Sequence, residues 1–174
     1  CFACDDFQDP WHSASGNLDP VVAYAKQAGI EVHAQDQHYT VPWEQESFDV
    51  VTMLNVIEHL TVSPRNILNF AGTYLKPGGL LLVEMPNSVN LRKRLSVLRG
   101  QSNYTPVAGF FENEGPWRGH IREFTLEETQ QIVDWAGFKT EYKKTAHTMV
   151  RQRLTNPLIL WVFKGLCMGF PGFR

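Results

Sequence analysis

Two stretches dominated by consecutive apolar residues, FDVVTML at 48–54 and LLLVEM at 80–85, flank one amphipathic segment, SPRNILNFAGTYL. A strand with one wet face alternates polar and apolar residues, whereas a strand covered on both faces does not. Both runs therefore predict strands buried on both sides. The segment between them predicts a helix. Ser63 is placed to cap it and Pro64 fits its first turn, while Ile67, Leu68, Ala71, Tyr74 and Leu75 recur at helical spacing. KPGG at 76–79 then turns the chain. Strand, helix and strand in this order require a crossover, and crossovers build an open, mostly parallel α/β sheet with helices on both faces.

The rest of the chain continues the alternation. DPVVAYAKQAGI predicts a helix capped by Asp19, with Pro20 in its first turn and Gly29 at its end. IEVHA follows as a short strand, TLEETQQIVDWAGF carries a Thr125-x-x-Glu128 capping box, and KTEYKKT predicts a late strand. Ligands of such sheets lie beyond the carboxyl ends of the strands. Asn55, Glu58 and His59 directly follow the run at 48–54, so they stand where a ligand is expected.

At 174 residues, 43% of them apolar, the chain suits one globular domain. The expected division is a domain over 1–150 and an apolar extension over 151–174. A net charge of -2 gives no electrostatic reason for a nucleic-acid partner. Cys1 and Cys4 have CxxC spacing, but no second pair follows at zinc-ribbon spacing, so no metal is expected. Three cysteines suit a reducing, cytoplasmic setting. The opening on Cys1 reads as part of a longer protein.

FDVVTMLNVIEHL, YLKPGGLLLVEMPN and HIREFTLEETQQIVDWAGF together resemble the later motifs of class I S-adenosylmethionine-dependent methyltransferases, in their small-molecule branch. The likeness runs from about Phe2 to Tyr142. It implies a Rossmann-like fold and S-adenosylmethionine as cofactor, lying across the carboxyl edge of the sheet. By position, Asp36 matches the residue that meets the adenine amino group, with Gln37 beside it. Leu54, Asn55 and Val56 match the strand end that lines the methionine side. Asn17 falls where the family carries an acidic ribose ligand, and an amide is a weaker acceptor than a carboxylate. The family's first strand and glycine-rich loop have no counterpart in this sequence. FACDDFQDPW resembles the helix that follows that loop, so the fold is expected to be N-terminally incomplete and cofactor binding by this chain alone weak.

Methyl transfer to a hydroxyl needs alignment and a base. His59, nearest the strand end, and His120, in a segment that faces the acceptor in the family, are the candidates. Glu58 reads as a surface or supporting carboxylate. NLRKRLSVLRG predicts an amphipathic helix with Leu91, Leu95 and Leu98 on one side and Arg92, Lys93 and Arg94 around it. The aromatic stretch GFFENEGPW supplies pocket walls or packs on the sheet. The apolar tail at 156–173 is short for a membrane span and serves core or homodimer packing or a membrane-surface contact. The expected function is methyl transfer to a small-molecule or lipid- or sugar-linked acceptor. A non-catalytic methyltransferase-like binding domain is the alternative. A nicotinamide-dependent oxidoreductase shares the architecture but not the motifs.

Overall fold

The computed structural model describes residues 1–5, 7, 18–34 and 41–146. Asn17, Asp36, Gln37 and the tail at 147–174 lie outside the described residues. The chain divides into two compact units, Cys1–Val51 with Asn69–Leu81, and Thr52–Leu68 with Leu82–Arg174.

The first unit opens with β1 (Phe2–Asp5), followed by α1 (Leu18–Gln27) and β2 (Glu31–Ala34). β1 and β2 pair in parallel, Phe2 with Glu31 through Asp5 with Ala34. FACD is thus a strand, where a helix was expected. Its backbone groups are met by the β2 ladder, extended by Glu31 N donating to Cys1 O at 3.0 Å. The period-two pleat also sends Cys1 and Cys4 to opposite faces, and both thiols are free. α1 starts at Leu18, so Asp19 lies inside the helix rather than at its cap. Gly29 ends it with φ +73, the left-handed conformation that glycine adopts without penalty.

β3 (Phe48–Leu54) and β4 (Leu75–Glu84) form a second hydrogen-bonded pair. Between them runs α2 (Arg65–Tyr74) with the expected apolar face, on which Ile67, Leu68 and Ala71 are buried. α2 passes directly into β4, so KPGG lies within the strand rather than in a turn before it. Gly78 takes φ +79 there, and a Cβ on Gly79 would stand 3.0 Å from Lys76 O and 3.2 Å from Asp49 O. Gly79 is what lets the Asp49 backbone approach. Lys76 also pairs with Asp49 at 2.7 Å and, through that contact, holds the Asp49 carboxyl below its ordinary range. β3 and β4 are not buried on both faces: Val50 and Leu80 are 53% and 60% exposed, so burial alternates along each strand. Phe2, Trp43, Phe48 and Tyr74 make an aromatic cluster with ring centroids 5.3–6.1 Å apart, which is the core of this unit.

The second unit contains the 3-10 turn Ile57–His59, α3 (Leu91–Leu98), α4 (Val107–Phe111) and α5 (Leu126–Trp135). Its buried apolar residues include Met53, Ile57, Leu68, Leu91 and Phe124. Thr125 caps α5 in a complete capping box: Glu128 N donates to Thr125 Oγ1 at 3.1 Å and Thr125 N to Glu128 Oε2 at 2.8 Å. Asn90 caps α3 by accepting from Lys93 N at 3.1 Å. The faces of α3 are not those expected. Leu91 and Lys93 are buried, while Leu98 is 82% exposed. KTEYKKT is not a strand. Its lysines pair along the surface instead, Lys139 with Glu141 and Lys143 with Gln130. Phe110 and Phe111 of α4 are exposed, with Phe110 against Trp117 at 5.1 Å. Among the described residues no helix is long and apolar enough to cross a membrane.

Candidate active site

β3 ends in a left-handed residue. Asn55 has φ +55, a conformation costing an ordinary side chain roughly 1–2 kcal/mol and tolerated best by glycine, asparagine and aspartate. Its N–H donates to Glu84 O at 2.9 Å, so the residue is held at the mouth of the strand pair. The chain then tightens into the turn Ile57–His59, closed by His59 N donating to Val56 O at 3.1 Å. This turn drives Ile57 and Glu58 inward, 3% and 0% exposed, and leaves His59 half-buried. Glu58, expected as a surface or supporting carboxylate, is the most enclosed acid of the described chain. Both its carboxylate oxygens are buried without a hydrogen-bond partner. Burial pushes its carboxyl up from the ordinary range.

The same turn holds the segment that carries His120. Glu58 O accepts from Ile121 N at 2.7 Å and from Arg122 N at 3.3 Å. His59 Nδ1 lies 2.8 Å from Arg118 O, and because a carbonyl only accepts, Nδ1 carries the proton. His120 stands edge-on to His59 with ring centroids 4.9 Å apart. Its own Nδ1 lies 2.7 Å from Glu123 Oε1, again the donor arrangement. Lys93, 8% exposed, forms an ion pair with Glu123 Oε2. That contact explains why a lysine expected on a solvated face is buried. Burial, then His59, then Lys93 lower the His120 pKa, and burial foremost lowers that of Lys93. Both imidazoles are therefore tied down at Nδ1, so in the neutral ring Nε2 is the nitrogen with the lone pair.

Folding thus brings together His59 and His120, which are 61 residues apart in sequence by number, with Glu58, which the sequence placed at the strand end without a catalytic role, and it adds Glu123 and Lys93, which sequence reasoning did not select. Leu54, Asn55 and Val56 sit beside the turn by chain continuity. Asn87 accepts from Val89 N at 3.0 Å and bridges Phe124. Asp5 was also overlooked. It closes β1 as an acid at a strand end, and its Oδ1 accepts from Phe7 N at 2.7 Å. The same signal that marked Asn55, a polar residue after an apolar run, could have marked it. An open cleft of about 450 Å³ lies elsewhere in the second unit, lined by Ile57, Leu68, Phe124 and Trp135 among others, and neither histidine lines it.

A family profile described as a methyltransferase domain matches residues 4–143. The chain belongs to the methyltransferase-domain family. A ubiquinone biosynthesis O-methyltransferase of Rickettsia felis is 30% identical over 82 residues, which is 47% of this chain and 32% of that protein. A SAM-dependent methyltransferase of Thermotoga maritima, described as a possible histamine N-methyltransferase, superposes with a TM-score of 0.51 at 19% identity, over 80% of this chain and 63% of that one. The chain thus spans less than two thirds of each of these relatives. The structural likeness bears on the fold alone, and that fold is the Rossmann-like α/β architecture of class I methyltransferases.

Proposed function

We propose that this methyltransferase moves the methyl group of S-adenosylmethionine to a small-molecule acceptor, with an oxygen acceptor the first to test. The observation that carries this reading is the strained strand end at Asn55, which leads within four residues to His59, itself edge-on to His120. The family supports the cofactor, and the Rickettsia relative's name supports oxygen. Cofactor contacts are assigned by resemblance to Asn17, Asp36, Gln37, Leu54, Asn55 and Val56. His59 and His120 serve the acceptor side, because each offers a free Nε2 to a hydroxyl proton.

The reading is tested by incubating the protein with methyl-labelled S-adenosylmethionine and a panel of phenols, catechols and polyprenylated or glycosylated alcohols. Label should reach at least one hydroxylated compound. His120→Gln or His59→Gln should then cut turnover by about a hundred- to ten-thousandfold while cofactor affinity holds. Wild-type turnover in both variants would remove the histidines from the acceptor side. Cofactor binding without transfer to any compound would favour a non-catalytic binding domain.

A further inference from the structure

The buried carboxylate of Glu58 poses a problem that the protein atoms around it do not solve. An isolated carboxylate at 0% exposure is costly, and buried charges are ordinarily paired or bound to metal. His59 Nε2 lies 3.9 Å from Glu58 Oε1, beyond hydrogen-bond reach. In the neutral ring that nitrogen is a lone pair, because the single ring proton sits on Nδ1 facing Arg118 O. His120 repeats the arrangement, with its proton spent on Glu123. Three electron-pair donors, one from each of Glu58, His59 and His120, therefore lie within 4.8 Å of one another. Among the described residues no donor of another residue hydrogen-bonds either oxygen of Glu58.

We propose that Glu58, His59 and His120 form a binding site for a divalent transition-metal ion. The donor set argues for its chemistry. Two imidazoles and one carboxylate suit Zn²⁺, Co²⁺, Fe²⁺ or Mn²⁺ better than the oxygen-seeking Ca²⁺ and Mg²⁺. The supporting contacts are those that metal-binding histidines use. One Nδ1 donates to a backbone carbonyl and the other to a carboxylate, which fixes the tautomer and aims Nε2 at the ion. Lys93 balances the charge of Glu123, so that carboxylate can orient His120 without joining the site. Donors around a tetrahedral ion at about 2.0–2.2 Å stand roughly 3–3.5 Å apart, so the three must draw together by about 1 Å. Glu58 is fixed, and the two imidazoles, each about a third exposed, have room to move. That exposed side leaves coordination positions for water or a ligand oxygen.

Sequence spacing does not reveal such a site, because His120 joins Glu58 and His59 only through the backbone bonds to Ile121 and Arg122. The inference deepens the reading of these side chains as the acceptor side. A hydroxyl on an open position of the ion would release its proton to water more readily, with the histidines acting through the ion. Metal binding itself stands whether or not methyl transfer does.

The test uses the chelator-treated protein titrated with Co²⁺, followed by visible d–d absorption, with Zn²⁺ as competitor and neither cofactor nor acceptor present. One saturable Co²⁺ per chain is expected, displaced by Zn²⁺ and accompanied by a rise in thermal midpoint. Glu58→Gln, His59→Gln and His120→Gln should each weaken binding at least tenfold. Glu123→Gln should weaken it about ten- to a hundredfold, as loss of an orienting partner does. His33→Gln, in the first unit, should leave it unchanged. Circular dichroism confirms that each variant is folded. No saturable Co²⁺ or Zn²⁺ binding by the folded wild type would overturn the site, as would binding undiminished in the three ligand variants. Failure of methyl transfer with metal binding intact would strike the functional reading alone.

Discussion

Asn55 is the residue at which sequence and structure meet most closely. Its position after an apolar run marked it, and its φ of +55 shows the cost of placing it there. The left-handed penalty falls on any residue with a Cβ, and asparagine eases it through its short polar side chain. Asn55→Ala should therefore lower stability in urea unfolding by about 1 kcal/mol, while Asn55→Gly should match or exceed the wild type. Equal losses in both would mean that the side chain, not the backbone, carries the effect. Glu58 teaches the opposite lesson. Its neighbours in sequence are polar on one side only, and nothing in NVIEHL reveals that a 3-10 turn sends it inward. Lys93 was illegible for the same reason, since its burial depends on Glu123, thirty residues away in sequence by number.

At the scale of elements, local chemistry was readable wherever the partners are close in sequence. The α5 capping box was legible because Thr125 and Glu128 meet within one turn. The KPGG stretch was misread because Gly79 answers a backbone, at Asp49, far from it in sequence. FACD is a strand and KTEYKKT is not for a related reason: a short strand exists only when a ladder partner is present, and β2 supplies one to the first. The α5 cap gives a pH prediction. The backbone hydrogen bond from Thr125, and then Arg122, hold the Glu128 carboxyl below its ordinary value. A lowered folded pKa stabilises the protein above the unfolded value, roughly 4.3, and that stabilisation is lost as pH falls through the folded one. Thr125→Ala should cost about 1 kcal/mol at pH 7 in urea melts. The gap between wild type and Glu128→Gln, measurable at pH 7, should shrink as pH falls below about 4. A gap unchanged at pH 3 would show that charge plays no part in the cap.

For the whole molecule, the apolar runs and punctuated helices were enough to reach a parallel α/β architecture, and the resemblance of three motifs led to its family. They overstated burial, because a run of Val and Leu does not say how many layers cover it, and Val50 and Leu80 remain exposed. The central claim is that the end of β3 belongs to an S-adenosylmethionine site. Amide NMR with S-adenosylhomocysteine, raised to millimolar concentration so that weak binding also registers, tests it most directly. The account predicts saturable shifts at Leu54, Asn55 and Val56 and at Asp36 and Gln37, with NAD producing none. Unmoved amides at Leu54–Val56, or shifts there with NAD and not with the homocysteine, would contradict it.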